Sequence, residues 1–210
     1  MAHVPAVVRR TQIIEAAAAV IARDGVAGAT TRRIAAEAGL SLATLHYVFQ
    51  TKDDILAAVL ESLIDRARED NAKIAARLAA PADGSPALRE VIHELVRTAW
   101  GLLDGDLVTQ RLQFELILYA LRTPEATHLG RTLRDYHLTA TEEIIRRTLD
   151  HTGHTVHHSP RDLAQLISAS VDGLLLDHLV NPDPDQAERS LANLTDAVFA
   201  LVTATPAATG

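Results

Sequence analysis

The chain has 210 residues, of which 48% are hydrophobic and 3% aromatic, and its formal net charge at pH 7 is −7. This hydrophobic fraction excludes a disordered chain, and an aliphatic, alanine-rich composition favours helices. The absence of cysteine excludes disulfides, thiolate catalysis and cysteine metal sites. The sequence has neither the apolar core of a signal peptide nor an uninterrupted apolar run of about 18 residues. We therefore expect a cytoplasmic protein without a membrane span.

Residues 28–56 predict two short helices joined by a tight turn and followed by the start of a third. Thr30 can cap a helix over residues 31–38 through its hydroxyl oxygen. Gly39 falls where that helix must stop, because glycine takes a positive φ with little steric cost. A second helix is predicted over residues 42–49. This arrangement is the helix-turn-helix, whose second helix enters the major groove of DNA.

The third helix of this region also begins with a recognisable signal. Ser41 can cap the helix before it, and Thr51 and Asp54 have the spacing of a capping box that opens a long helix. Lys52 lies in the first turn, where the helix dipole favours an anion over a cation. A bound phosphate would suit both the lysine and the free N–H groups, so we predict that Lys52 contacts phosphate.

Further helix starts recur along the chain. A capping residue precedes a proline at Ser85-Pro86, Thr123-Pro124, Ser159-Pro160 and Asp183-Pro184. Asp162 and Gln186 complete capping boxes with the last two. The sequence thus predicts an all-α protein of about nine helices, with a helix-turn-helix domain at 1–51 and a larger helical domain at 52–205. The predicted helices span residues 8–23, 31–38, 42–49, 52–79, 86–103, 107–121, 125–151, 160–180 and 185–204.

The sequence resembles the DNA-binding segment of the tetracycline-repressor (TetR) family over roughly residues 9–60. The residues that carry the resemblance are TTRRIA at 30–35, AGLS at 38–41, TLHYVF at 44–49, KD at 52–53, and Leu56. The resemblance implies a homodimeric DNA-binding regulator, most simply a repressor released from a palindromic operator by an unknown small-molecule effector. It implies that residues 52–205 form the helical ligand-binding and dimerisation domain. It also implies that the helices within residues 160–204 form a four-helix interface with a second copy, and burial within one chain is the alternative.

Two positions depart from the family pattern. The family usually has tyrosine at the position of His46, and glycine or proline at that of Ala43. Because an imidazole can still donate to a phosphate, we expect DNA binding to be retained with an altered contact. The alternative is a helical small-molecule binding protein whose DNA reader has decayed. The expected contacts with double-stranded DNA are Thr31, Arg32, Ser41, Thr44, His46, Tyr47 and Lys52 on phosphates, and Leu42, Ala43 and Thr44 on base edges.

Charge is distributed unevenly along the chain. Residues 1–56 hold six basic and five acidic side chains, a net charge of +1, whereas the remaining residues hold 14 basic and 22 acidic ones, a net charge of −8. The acidic excess therefore lies after residue 56, and the predicted helix-turn-helix domain has cations that can contact phosphates. These cations are Arg9, Arg10, Arg32, Arg33 and Lys52.

An effector would bind between helices, in an apolar cavity with a few polar anchors. Aromatic residues and polar residues set in apolar runs are the candidates, although core packing explains each of them equally well. The candidates are His93, Trp100, Gln113, Phe114, Tyr119, Asp172 and His178.

The sequence contains no strong signal for a metal site or for a catalytic site. The histidines of segment 151–158, HTGHTVHH, lie at a helix end around Gly153, where histidines suit the helix dipole. A metal site needs fixed geometry and a second shell, so we expect no metal and no cofactor. No nucleophile elbow, phosphate-binding loop or zinc-protease helix occurs in the sequence, and we expect no enzymatic activity.

Overall fold

The computed structural model describes residues 6–78 and 88–203. Within those two ranges the protein is built of α-helices and one short 3-10 turn, without a strand, which confirms the predicted all-α class. The elements are α1 (Ala6–Gly28), α2 (Thr31–Glu37), α3 (Leu42–Val48), α4 (Lys52–Leu78), α5 (Leu88–Asp104), α6 (Leu107–Arg122), the 3-10 turn (Pro124–Ala126), α7 (Thr127–Thr152), α8 (Pro160–Val180) and α9 (Pro184–Thr203).

Two boundaries differ from the predicted ones for local reasons. Helix α1 extends to Gly28 because the chain resumes a helical turn after a single non-helical residue, Gly25, at φ 71° and ψ 167°. Pro124 starts a 3-10 turn, and Thr123 before it forms no side-chain cap. The predicted Ser85-Pro86 start lies outside the described residues.

The capping prediction holds at Ser159 and Asp183, but the reciprocal bonds differ. The Asp162 N–H donates to Ser159 Oγ at 3.1 Å, and that hydroxyl donates to Asp162 Oδ2 at 2.7 Å. The Gln186 N–H donates to Asp183 Oδ1 at 2.9 Å, whereas the Gln186 amide donates to the Ser190 hydroxyl at 3.3 Å. The predicted capping box at Asp183 is therefore only half formed, because the glutamine reaches forward along its own helix.

The chain divides into two compact units, and the first comprises residues up to 66 together with 106–134. In this unit α1 packs against α2, α3 and α6. Its core is largely aliphatic, and many of its side chains are exposed by 2% or less. The largest of these are Ile13, Ile21, Ile34, Leu45, Ile55, Leu56, Leu116 and Leu133.

The second unit comprises residues 67–105 and those from 135 onward. Here α5 and α8 pack against α9. Its core cluster consists of Leu88, Ile92, Leu163, Val198 and Val202, with partly buried hydrophobic side chains around it. An exposed ion pair between Arg89 and Asp196 links α5 to α9.

Helix α8 leaves an apolar face in solvent. Leu166, Leu176 and Val180 are exposed by 47%, 51% and 78%. By length and composition this is the one helix in the described ranges that could cross a membrane, with a mean hydropathy of 1.3 over a window that is 22% buried. Asp172 and Asp177 interrupt the apolar residues of this helix, so it contains no continuous apolar run of the length that spans a membrane. An amphipathic helix that packs on another protein surface has the same composition.

Candidate nucleic-acid interface

The turn after α2 has the geometry that the sequence predicts. Gly39 has a φ of +64°. Its N–H donates to the Ala36 carbonyl at 3.1 Å and the Leu40 N–H donates to the Ala35 carbonyl at 2.9 Å, the two bonds of a Schellman motif. A side chain at Gly39 would meet no atom within 4 Å, so the positive φ alone calls for glycine.

Helix α3 presents a free face to solvent. The Ser41 hydroxyl accepts a hydrogen bond from the Thr44 N–H at 3.1 Å and thereby starts the helix. Leu45 and Phe49 are buried behind it, with 0% and 3% exposure. The opposite face carries Leu42, Ala43, His46 and Tyr47, all exposed, and Tyr47 is 83% accessible. The residues predicted to meet DNA on α3 thus share one face, apart from the half-buried Thr44.

The start of α4 forms a complete capping box. The Thr51 N–H donates to Asp54 Oδ2 at 2.8 Å, and the Asp54 N–H donates to the Thr51 hydroxyl oxygen at 3.1 Å. Hydrogen bonds from the side chain and then the backbone of Thr51 lower the pKa of the Asp54 carboxyl. The box fixes the first turn of α4 directly after α3.

Lys52 is not a free surface cation. Its Nζ donates to the Val26 carbonyl oxygen at 2.6 Å, and the side chain is half-buried. Burial lowers the pKa of the Lys52 ammonium, and the nearby Asp53 carboxylate opposes this shift. One of its three N–H groups is therefore already committed inside the fold.

The other predicted cations differ in their surroundings. Arg33 donates to the Gly28 carbonyl at 3.3 Å and pairs with Asp24 at 3.5 Å. Arg10 lies over the Phe49 ring, with its guanidinium carbon 4.8 Å from the centroid. Arg32 is exposed and has neither a hydrogen bond nor an ion pair with any residue in the described ranges. Arg32 is thus a cation of α2 that can reach a phosphate without breaking a contact.

One positioning contact escapes sequence reasoning. The Gln12 amide on α1 donates to the Ala38 carbonyl at the end of α2, at 2.9 Å. The two residues are 26 positions apart, and a glutamine on an exposed helix turn carries no local signal for such a partner.

The second unit brings two of the predicted effector residues together. The rings of Trp100 and His178 make a T-shaped contact, with centroids 5.4 Å apart at 71°. His178 Nε2 lies 2.9 Å from Asp104 Oδ1, and both rings are 9% exposed. Asp104 is not among the effector residues predicted from the sequence, because no local pattern pairs it with a histidine 74 positions away.

A shallow groove lies beside this pair. It has an empty volume of about 240 Å³ that includes open solvent, and it is lined by Trp100, Leu174, Asp177, His178, Asn181, Asp183, Gln186, Ala187 and Ser190. This volume lies below the roughly 300–1,000 Å³ of typical small-molecule sites. The groove as it stands is thus too small and open to enclose an effector.

The remaining effector candidates are dispersed. His93 is half-buried on α5 and Asp172 is exposed on α8. Gln113, Phe114 and Tyr119 are half-buried on α6 in the first unit, where the Gln113 amide donates to Gln110 Oε1 at 3.4 Å. A role for these residues in effector binding stays a prediction.

The histidine-rich segment forms local contacts. His154 Nδ1 lies 3.0 Å from the Thr152 carbonyl oxygen, beyond the end of α7. Across residues 6–78 and 88–203, no three histidine or carboxylate side chains come close enough together to hold a metal ion.

Comparison with known proteins agrees with this geometry. The family model for bacterial regulatory proteins of the tetR family matches residues 13–59, and that for the tetracyclin repressor-like C-terminal domain matches residues 86–202. The chain is 29% identical over 189 residues to the nicotine-responsive transcriptional repressor HdnoR of Paenarthrobacter nicotinovorans. The aligned region covers 90% of this chain and 93% of that relative.

Solved structures show the same fold. A TetR-family regulator from Mesorhizobium loti has a TM-score of 0.77 at 18% identity and covers 94% of this chain and 98% of its own. A regulator from Saccharomonospora viridis in complex with choline has a TM-score of 0.66 at 27% identity, with coverage of 90% and 95%.

The fold and the helix-turn-helix define a DNA-binding transcriptional regulator. The chain belongs to the TetR family, as its sequence resemblance implies, and the homologous regulators are not enzymes.

Proposed function

We propose that the protein is a homodimeric transcriptional repressor that leaves a palindromic operator when a small molecule binds its C-terminal domain. One observation carries the DNA-binding part of this proposal. Leu45 and Phe49 seal α3 onto the first unit, while Leu42, Ala43 and His46 stand in solvent beside Tyr47. A second helix with this exposure can enter the major groove.

The proposed contacts divide into positioning and reading contacts. Leu42, with 40% exposure, reads a base edge through apolar contact with a thymine methyl group. Ala43 and Thr44 face the neighbouring base edges. The proposed phosphate contacts are Thr31, Arg32, Ser41, Thr44, His46 and Tyr47. Lys52 is a further proposed phosphate contact, because its bond to the Val26 carbonyl leaves two N–H groups of the ammonium for a phosphate oxygen.

The exposed face of α8 supports assembly with a second copy through residues 160–204. Leu166, Leu176 and Val180 recur at helical spacing, and the small residue Gly173 lies between them. A side chain at Gly173 would meet no atom within 4 Å, so nothing within one chain requires a glycine there. Twofold pairing predicts a palindromic operator whose half-sites are about 34–36 Å apart.

The proposed division of labour places DNA binding in residues 1–51 and effector binding and dimerisation in 52–205. Helix α4 begins beside α3 and continues into the second unit, so a shift of α4 would move α3. We propose Trp100 and His178 as effector-responsive residues. The acidic body favours a cationic effector. Choline and nicotine are the first probes, because they are named with two relatives. The protein would act in the cytoplasm.

Fluorescence anisotropy with the DNA upstream of the gene tests this function. We expect salt-sensitive binding to that duplex and weaker binding to a scrambled duplex of equal length. An effector that releases the protein must itself bind more weakly to the DNA complex by the same factor. Absence of binding to the upstream duplex at low salt would instead favour a helical small-molecule binding protein with a decayed reader.

A further inference from the structure

Two aromatic rings of the second unit each keep a polar atom that has no protein partner. Trp100 and His178 are both 9% exposed, and both line the groove between α5, α8 and α9. Neither the Trp100 indole N–H nor His178 Nδ1 forms a hydrogen bond with any residue in the described ranges, and neither atom is closed off from solvent. Polar atoms of side chains this deeply buried are usually hydrogen-bonded. The groove thus offers both atoms to a molecule that enters it.

Asp104 determines which role the free ring nitrogen of His178 can play. His178 Nε2 lies 2.9 Å from Asp104 Oδ1. An ionised carboxylate only accepts hydrogen bonds, so Nε2 carries the proton. In the neutral imidazole Nδ1 then keeps its lone pair and is an acceptor. A ligand must therefore present a donor to His178 and an acceptor to the Trp100 N–H.

The charges around the groove favour a cationic ligand. Asp177 and Asp183 line the groove, and the described residues of its lining include no lysine or arginine. The Asp104 side chain, 49% exposed, adds a third carboxylate behind His178. The face of an indole ring such as that of Trp100 also attracts cations. A donor that carries a positive charge would thus be stabilised here more than a neutral donor.

We propose that this groove binds a small protonated amine that also carries a hydrogen-bond acceptor. The ammonium N–H donates to His178 Nδ1, and the acceptor, a hydroxyl or a heterocyclic nitrogen, receives the Trp100 N–H. This inference rests on the proposed function, in which a cation binds the C-terminal domain, and it names the two groups that select that cation. A small amine suits a groove whose empty volume, open solvent included, is about 240 Å³.

The groove lies apart from the face of α8 that is proposed for association. Leu176 and Val180, two positions on either side of His178, are exposed by 51% and 78%, whereas His178 is buried. Residues two positions apart on a helix point in different directions. A ligand in the groove therefore leaves the apolar face of α8 free, and its binding can be measured separately from dimerisation.

Trp100 is the only tryptophan of the chain, so its fluorescence reports on this groove alone. Titrations at about pH 8 suit the test, because an unperturbed imidazole is neutral there and an aliphatic amine keeps its proton. Dimethylaminoethanol has the N–H, the charge and a hydroxyl. Choline keeps the charge but has a methyl group in place of the N–H, and 3-methylbutan-1-ol has neither. We expect choline to bind about tenfold more weakly than dimethylaminoethanol, and the alcohol to bind more weakly still.

The variant His178→Phe keeps an aromatic ring and removes the acceptor. It should bind dimethylaminoethanol about tenfold more weakly, with the affinity that it has for choline, so that the preference between the two cations disappears. The matched control His154→Phe changes an exposed histidine beyond α7 and should keep both affinities. Equal losses for the two cations in His178→Phe would show a purely structural role and overturn the inference.

The parent chain alone also decides the question, should the phenylalanine variant fail to fold. Equal affinities for dimethylaminoethanol and choline, or for the amine and the alcohol, would overturn the inference. A parent chain that binds its operator but no dimethylaminoethanol would overturn it as well and leave the DNA-binding function standing. Selective amine binding by a chain that binds no DNA would support the inference and contradict the proposed repressor.

Discussion

The two units close their cores to different degrees. In the described part of the chain, the largest fully buried aliphatic side chains all belong to the first unit, and Thr195 is the corresponding residue of the second. The core cluster of the second unit retains 3% to 8% exposure, whereas core side chains of the first unit range from 0% at Leu45 to 9% at Ile64. The second unit also leaves Leu166, Leu176 and Val180 in solvent.

Each unit is proposed to use its exposed surface for a different kind of contact. The first unit also leaves large apolar side chains in solvent, among them Val108, Leu118 and Leu121 of α6. Its proposed contacts with DNA, however, are mostly polar side chains of α2 and α3. The second unit keeps contiguous apolar surface that contact with another copy would bury. The proposed function thus assigns DNA binding to the first unit and association with a second copy to the second, and variants in each unit can test this assignment.

The largest effect is expected from the core behind the recognition helix. Leu45→Ala removes a side chain with 0% exposure and should lower the free energy of unfolding by about 2–5 kcal/mol, measured by urea denaturation. Its matched control in the second unit, Leu166→Ala, should change this free energy by less than about 0.5 kcal/mol at concentrations where the chain is monomeric. Equal losses in the two variants would remove the distinction between the units.

The next effect concerns association. Leu176→Asp places a charge on the apolar face of α8 and should raise the dissociation constant of the dimer at least about tenfold in sedimentation experiments. Leu121→Asp, at a leucine of α6 that is 78% exposed in the first unit, should leave association unchanged. Dimers of undiminished stability in Leu176→Asp would show that another face joins the subunits.

A substitution in the turn between α2 and α3 should have a smaller effect on stability. Gly39→Ala forces an L-residue to a φ of +64° and should cost about 1–2 kcal/mol of stability, measured by chemical denaturation. Gly101→Ala in α5 is the control, because its new methyl group meets nothing within 4 Å and should stabilise the helix by about 0.5–1 kcal/mol. A neutral Gly39→Ala variant would mean that the turn relaxes.

The smallest effect is a pH dependence in each unit. Hydrogen bonds from Thr51 lower the pKa of Asp54 from its usual 3.8, and hydrogen bonds from Arg146 and then Arg161 lower that of Glu142 from 4.5. Folding stability from both carboxylates is therefore full above those usual values and is lost as the pH falls through the lowered ones.

The variants Asp54→Asn and Glu142→Gln should thus differ from the parent most at neutral pH and converge with it in acid. Thermal unfolding between pH 7 and about pH 3 measures this convergence. A difference that widened on acidification would contradict the direction of either shift.

Much of the helix-turn-helix domain could be predicted from the sequence because the interactions that start and end its helices are local. The caps at Thr30 and Ser41, the positive φ at Gly39 and the capping box of Thr51 with Asp54 all join residues within five positions of one another. Such interactions depend on residue type and spacing alone, so the order of the helices and the exposed face of α3 could be inferred before any packing was known.

Contacts between distant residues could only be found in the folded chain. Lys52 and Val26 are 26 positions apart, and Asp104 and His178 are 74 apart. Apolar periodicity marks α8 as a helix with more than one apolar face, but it does not say which face the chain itself covers. Packing made that choice, because burial depends on which helices meet and at what angle, and no local interaction encodes this.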